Sequence, residues 1–303
     1  MSYKGYELFY VNGSSYTFGG GLEDDKIWPE SNGIRRGYKE LYNISWEDTV
    51  SEVNYAARLS KLINIPCINE AACGGGTDRV VRMAYEFLEN NWGNRHKLFL
   101  FLEVCDHTRS EFYYNPWNNY FICNSEYINN EQYQHSFLYS TTKYSPNPEG
   151  IEELQLIFKD RFDKFHNPYE FWKNVNRDLI GLYSFCKLNG IAIKFMDATN
   201  FVFYRELIDD KDKFINHIHW YANDNKKFIS NEVPGYTDDK HPGYFAHIEY
   251  AHLLKTWLDE NLDPAGDQSD QQTDYQKMVN TRLEDLRKRD PFIYKNYRNK
   301  DEK

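Results

Sequence analysis

Short apolar runs alternate with stretches whose apolar positions recur every three or four residues through the first two-thirds of the chain. The run Glu7–Val11 (ELFYV) predicts a short buried strand, and Ile65–Ala71 (IPCINEA) a second. Val80, Val81, Ala84, Phe87 and Leu88 recur at helical spacing, with Thr77 or Asp78 placed to cap that helix. His96–Val104 (HKLFLFLEV) is apolar on both faces, as a central strand covered by two helix layers must be. Helices are expected over Gly150–Phe165 and Pro168–Leu188. The second buries Phe171, Val175, Leu179, Leu182 and Cys186 on one face, with Gly190 just past its end. Ile191–Met196 reads as a fourth strand and Tyr244–Leu258 as a last amphipathic helix. Such alternation predicts a doubly wound α/β domain, with helices on both faces of a mainly parallel sheet.

Two segments depart from the rhythm. Residues 113–148 are rich in Asn and aromatic side chains and lack periodicity, which marks an insertion or lid; 201–235 is less regular. From Asp263 the chain turns polar (DPAGDQSDQQTD), and a thin stripe of Tyr275, Val279, Leu283 and Leu286 leads into RDPFIYKNY. The expected organisation is therefore an α/β domain over 1–262, followed by a linker and a helical docking tail over 263–303.

Composition narrows the function classes. A formal charge of −10 in 303 residues opposes a phosphate backbone, so nucleic acid is not expected as the main partner. No apolar run approaches the roughly 20 residues of a membrane span. The start MSYKGYELFY has neither the basic residues nor the long apolar stretch of a signal peptide, so a cytoplasmic product is expected. Five cysteines without CxxC spacing suggest neither a disulfide framework nor a zinc centre. His217 and His219 stand at strand spacing with no third ligand in view and read as a structural or surface pair, and no cofactor is expected. Aromatics make up 17% of the chain, enough to line a surface or groove as well as a core.

Candidate chemistry lies at separated positions. Ser14 or Ser15 follows the first strand, Gly74, Gly75 and Gly76 follow the second, and Asp238, Asp239 and His241 precede the last helix. In a doubly wound sheet, loops at the carboxyl ends of strands converge on one crevice, which unites the first two groups. A serine nucleophile needs a base, a carboxylate to orient that base, and donors for the oxyanion. Arg79 and Arg109 either clamp an anionic group of a substrate or pair with Glu111 and neighbouring acids. The aromatic insertion, Trp117 included, suits stacking on sugar faces, or packs as a lid on its own side chains.

In their order these motifs resemble the SGNH (GDSL-like) hydrolase superfamily, and within it SGNH-like proteins of phage. Gly13-Ser14-Ser15-Tyr16 matches the first block, which maps the nucleophile to Ser15. Asn69 and Gly74 match the second block, continued by Thr77-Asp78-Arg79; Asp238-x-x-His241-Pro242 matches the last, with Asp239 as the alternate acid. The resemblance spans roughly residues 6–258. It implies a three-layer α/β/α fold with a flavodoxin-like sheet and ester hydrolysis by Ser15, His241 and Asp238. It also implies oxyanion donors at Ser15 and Gly74, with Gly75 of the same loop as a further candidate. The candidate substrate-binding residues are Asp78, Arg79, Asp106, Arg109 and Trp117. The third block departs: where Gly-x-Asn-Asp is expected, the chain reads LEVCDHTRSEF, matching a phage-type Arg-x-Glu-Phe ending at Arg109, Glu111 and Phe112. No Asn then supplies the oxyanion, Cys105, Asp106 or Thr108 would line the pocket, and loss of one donor costs about 10²–10³ in rate.

Three functions follow. The first is an esterase or deacetylase acting on a small-molecule or glycan ester. The second is a virion component that keeps the fold without the reaction and binds partner proteins through the insertion and C-terminal tail. The third is a carbohydrate-binding protein.

Overall fold

The apolar runs assemble into one parallel sheet. A computed structural model describes residues 2–19, 54–72, 74–105, 109–114, 119–124, 138–140, 151–165, 167–197, 215–216 and 244–266, with Ile208, Ile218, Pro242, Lys277 and Thr281. Strands β1 (Leu8–Asn12), β2 (Cys67–Asn69), β3 (Leu98–Val104), β7 (Ala192–Asp197) and β8 (Ile215–Asn216) lie in the order β2-β1-β3-β7-β8, every pair parallel. Tyr10 faces Leu100 across the β1–β3 pair, and Phe101 faces Lys194 across β3–β7.

Helices cover both faces. Helices α3 (Thr77–Asn90) and α5 (Pro168–Leu188) pack on Leu98, Leu100, Leu102 and Val104 through Val80, Ala84, Leu88, Val175, Leu179 and Tyr183. On the opposite face, α2 (Tyr55–Ile63) and α6 (Tyr244–Asn261) cover Phe9, Val11, Phe99 and Phe101 with Leu59, Tyr250, Leu254 and Leu258. This is the three-layer α/β/α arrangement with a flavodoxin-like strand order. The two-faced apolar run of β3 is buried throughout, as its central place demands.

Three details differ from the sequence-based reading. Strand β2 is shorter than expected and half-exposed, with Ile68 at 39%, because it is the sheet's edge. Helix α2 is a further element, missed although Tyr55, Ala56, Leu59 and Ile63 fall at helical spacing; Asn54 caps it, accepting from the Ala57 amide at 2.9 Å, and Asn64 ends it with a left-handed φ of 57°. The aromatic insertion starts earlier and holds an antiparallel sheet of β4 (Arg109–Tyr114), β5 (Asn119–Asn124) and β6 (Leu138–Ser140). Helix α4 (Ile151–Phe165) follows it.

Beyond α6 the chain stays attached to its own beginning. The Lys4 ammonium donates to the Leu258, Asp259 and Leu262 carbonyls at 2.7–3.0 Å, at the carboxyl end of α6. The Ala265 amide donates to the Lys4 carbonyl at 2.7 Å, so the anchored part of the chain reaches a few residues past Leu262.

Candidate active site

The strand order reverses between β1 and β3, and in such sheets the crevice outside the carboxyl ends at that point is where ligands bind. Strand β1 ends at Asn12, and within three residues the chain enters a one-turn helix, α1 (Ser15–Phe18). Ser14 is its N-cap, in extended conformation (φ −88°, ψ −163°), and its hydroxyl accepts from the Tyr16 amide at 3.4 Å. Ser15 is the first helical residue and is 7% exposed. Gly19, at φ 96°, ends the turn in a conformation that a side chain would strain. The two adjacent serines thus have separate roles: Ser14 caps, and Ser15 stands at the head of the strand-to-helix turn.

The turn lies on a buried carboxylate. Glu103, on the face of β3 shared with Phe99 and Phe101, accepts from the Ser14 amide at 2.8 Å and from the Thr17 hydroxyl at 2.6 Å. Its second oxygen accepts a short hydrogen bond from the Ser14 hydroxyl. Thr17 has one proton, given to Glu103, so the Tyr55 hydroxyl donates to Thr17 across 2.8 Å. Burial, reinforced by the Glu103 charge, pushes the Tyr55 phenol well above its ordinary pKa and keeps it a donor. The Tyr55 amide in turn donates to Nδ1 of the buried His247 at 3.0 Å, and the two rings stack. His247, itself in α6, therefore caps the neighbouring helix α2.

Gly13 explains how closely the turn approaches β3. A Cβ there would stand 2.6 Å from both the Glu103 Cβ and the Thr17 hydroxyl, and nearer still to a Glu103 carboxylate oxygen. The loop after β2 closes on the same place. The Ala72 amide donates to the Gly13 carbonyl at 3.1 Å, and a Cβ on Gly75 would lie 2.8 Å from that carbonyl. Asn69 stitches the loops together, donating to the Thr17 carbonyl at 3.1 Å and accepting from the Ala71 amide at 3.0 Å. Gly74 has φ 74°; the Gly75 amide donates to the Ala72 carbonyl at 2.9 Å, which takes it out of the donors facing the crevice.

The residues assigned to substrate contact are strongly engaged within the fold. The Arg79 guanidinium donates to Asn12 Oδ1 at 3.1 Å and to the Glu70 carbonyl at 2.9 Å, and lies 3.8 Å from Glu111, so it braces the β1 and β2 ends. Asp78 accepts from the Arg79 amide at 2.8 Å and from the Glu111 amide at 2.5 Å, tying β4 to the head of α3. Burial drives its carboxyl up to about 7 against the opposing pull of those two amides. Arg82 completes the join, with 2.7 and 3.0 Å contacts to Glu111 and its guanidinium 3.9 Å over the Tyr120 ring. The Arg109 backbone carbonyl packs against Gly76. Cys105 is fully buried, its thiol donating to the Glu103 carbonyl at 3.6 Å, which removes it from the pocket lining expected of it.

His241, Asp238, Asp239, Asp106, Thr108, Trp117, His217 and His219 lie outside the described residues. Among the described residues no group of three His, Cys, Asp or Glu could hold a metal ion, and no helix is long and apolar enough to cross a membrane. Glu103, Thr17 and Tyr55 escaped the sequence reading. Their one visible signal was an acid inside LFLFLEV, a run otherwise apolar on both faces.

Fold and turn together define an α/β/α protein with a serine-headed turn at its switch point. No known protein-family profile matches the sequence, and no curated protein does. Two solved structures overlay on most of it. One is the psychrotrophic esterase EstA from Pseudoalteromonas sp., at 11% identity and TM-score 0.38, covering 84% of this chain and 99% of that one. The other is a carbohydrate esterase described as having divergent catalytic and non-catalytic binding functions, at 9% identity and TM-score 0.37, covering 86% and 70%. The overlaps are loose, and the fold class rests on the strand order and helix layers themselves.

Proposed function

We propose that the chain is an SGNH-type serine ester hydrolase. The observation that supports this is the position of Ser15: first residue of a helix turn, directly after the carboxyl end of β1, at the switch point, with the Gly74 loop closed against the same turn. In this reading the Ser15 hydroxyl attacks the acyl carbon while His241 takes its proton and Asp238, or Asp239, orients the imidazole. The proton passes to the departing alkoxide, and water then releases the acid from the acyl-enzyme by the same steps in reverse order. The Ser15 and Gly74 amides are the oxyanion donors. With no third-block Asn and with the Gly75 amide engaged elsewhere, turnover is expected to be slow.

The proposed leaving group is a carbohydrate hydroxyl. Its support is the aromatic insertion, whose strand β4 leaves Tyr113 44% exposed next to the Tyr120 ring, at 5.0 Å between centroids. The test is p-nitrophenyl acetate hydrolysis together with labelling by a fluorophosphonate. Both are expected in the parent and lost in Ser15→Ala; activity or labelling that persists in Ser15→Ala removes the assignment.

The third block favours a second reading, a phage virion component that keeps the fold and binds partner proteins through the insertion and tail. Truncation should follow Gly266, since residues up to Ala265 are anchored to Lys4. Partner capture that survives this truncation takes the tail out of that account.

A further inference from the structure

We propose that Glu103 is a positioning residue that sets the height and orientation of the Ser15 turn. This inference rests on the esterase reading. Glu103 is wholly buried near the carboxyl end of β3, where its same-face neighbours are Phe99 and Phe101. An aromatic residue would fill such a place at no electrostatic cost, whereas burying a carboxylate is strongly unfavourable unless donors surround it. The donors that surround this one come from the turn: the Ser14 amide, the Ser14 hydroxyl and the Thr17 hydroxyl.

These three bonds bracket Ser15 on both sides in sequence. Ser14 precedes it and Thr17 follows by two residues, so both ends of the turn are fixed to the rigid centre of the sheet. Gly13 lets the backbone come close enough for this, since any Cβ would overlap Glu103 and Thr17. The chain of contacts continues through Thr17 and Tyr55 to His247. His247 sits near the start of α6, six residues beyond the proposed base, His241. One buried hydrogen-bonded path therefore runs from the nucleophile's turn to the helix that follows the base. Misplacing a reacting group by about 1 Å can cost on the order of 10² in rate, which is the scale at which such bracing acts.

The test uses the full chain and three variants: Glu103→Gln, which keeps the shape and removes the charge, Thr17→Val, and Thr17→Ser. Fluorophosphonate labelling rates are divided by the folded fraction from circular dichroism, and kcat and KM are measured with p-nitrophenyl acetate. Glu103→Gln and Thr17→Val should label roughly 10- to 100-fold more slowly per folded molecule, with kcat reduced and KM little changed. Thr17→Ser, which restores the hydroxyl, should recover the parent rate. A stabilising residue with no positioning role would lower the melting temperature and leave the normalised rate alone.

If the parent labels and both Glu103→Gln and Thr17→Val label equally fast, the positioning role is refuted and the esterase reading survives. If the parent neither labels nor hydrolyses, the esterase reading fails and the positioning role fails with it. Should Glu103→Gln not fold, the contrast between Thr17→Val and Thr17→Ser decides the matter.

Discussion

Replacing Gly13 by alanine adds one methyl group at the tightest point of the site. The new Cβ would stand 2.6 Å from the Glu103 Cβ and 2.6 Å from the Thr17 hydroxyl, where ordinary contact begins near 3.4 Å. Neither neighbour can yield cheaply. The Glu103 Cβ belongs to the central strand, and the Thr17 hydroxyl is held between Glu103 and Tyr55. Overpacking of this kind costs about 1–3 kcal/mol, and the absence of any flexible neighbour places Gly13→Ala at the upper end. At about 2–4 °C per kcal/mol for large domains, the melting temperature should fall by roughly 6–12 °C. Thermal unfolding followed by circular dichroism measures this. Gly181→Ala supplies the opposite sign: it lies in α5, a Cβ there meets nothing within 4 Å, and Ala should gain about 0.4–1 kcal/mol. If Gly13→Ala melts with the parent, the close approach of turn and strand is wrong and the account of the site fails with it.

Asp78 gives a pH signature. Its folded pKa of about 7 exceeds the ordinary 3.8, so the folded chain holds this proton more tightly than the unfolded one. This group's contribution to stability is therefore full at low pH, declines as pH rises from about 4 to about 7, and is flat above that. Urea midpoints across this window should show a shallower decline in Asp78→Asn; an unchanged slope would count against the buried carboxyl. Arg82→Met leaves the nearly buried Glu111 with Arg79 at 3.8 Å as its remaining ion pair, at a cost of about 2–3 kcal/mol. It should loosen the insertion sheet from α3, so limited proteolysis is expected to cut within 109–140 sooner than in the parent.

The apolar pattern along the chain is enough to dictate the layers of this fold. Strand β3 had to be central because LFLFLEV is apolar on both faces, and α3 and α5 were legible because Val80, Ala84, Leu88 and Val175, Leu179, Cys186 repeat at helical spacing. Gly13, Ser14 and Ser15 were legible as a turn after a strand. Which serine caps and which heads the helix was decided by tertiary structure, because that depends on what the side chains meet. The brace beneath them was also invisible in sequence: Glu103 and Ser14 are 89 residues apart, and Tyr55 and His247 are 192. Periodicity reports which face of an element avoids water, a property of neighbours along the chain. Hydrogen bonds between strand, turn and helix form only once the sheet has set its register, so local pattern holds no record of them.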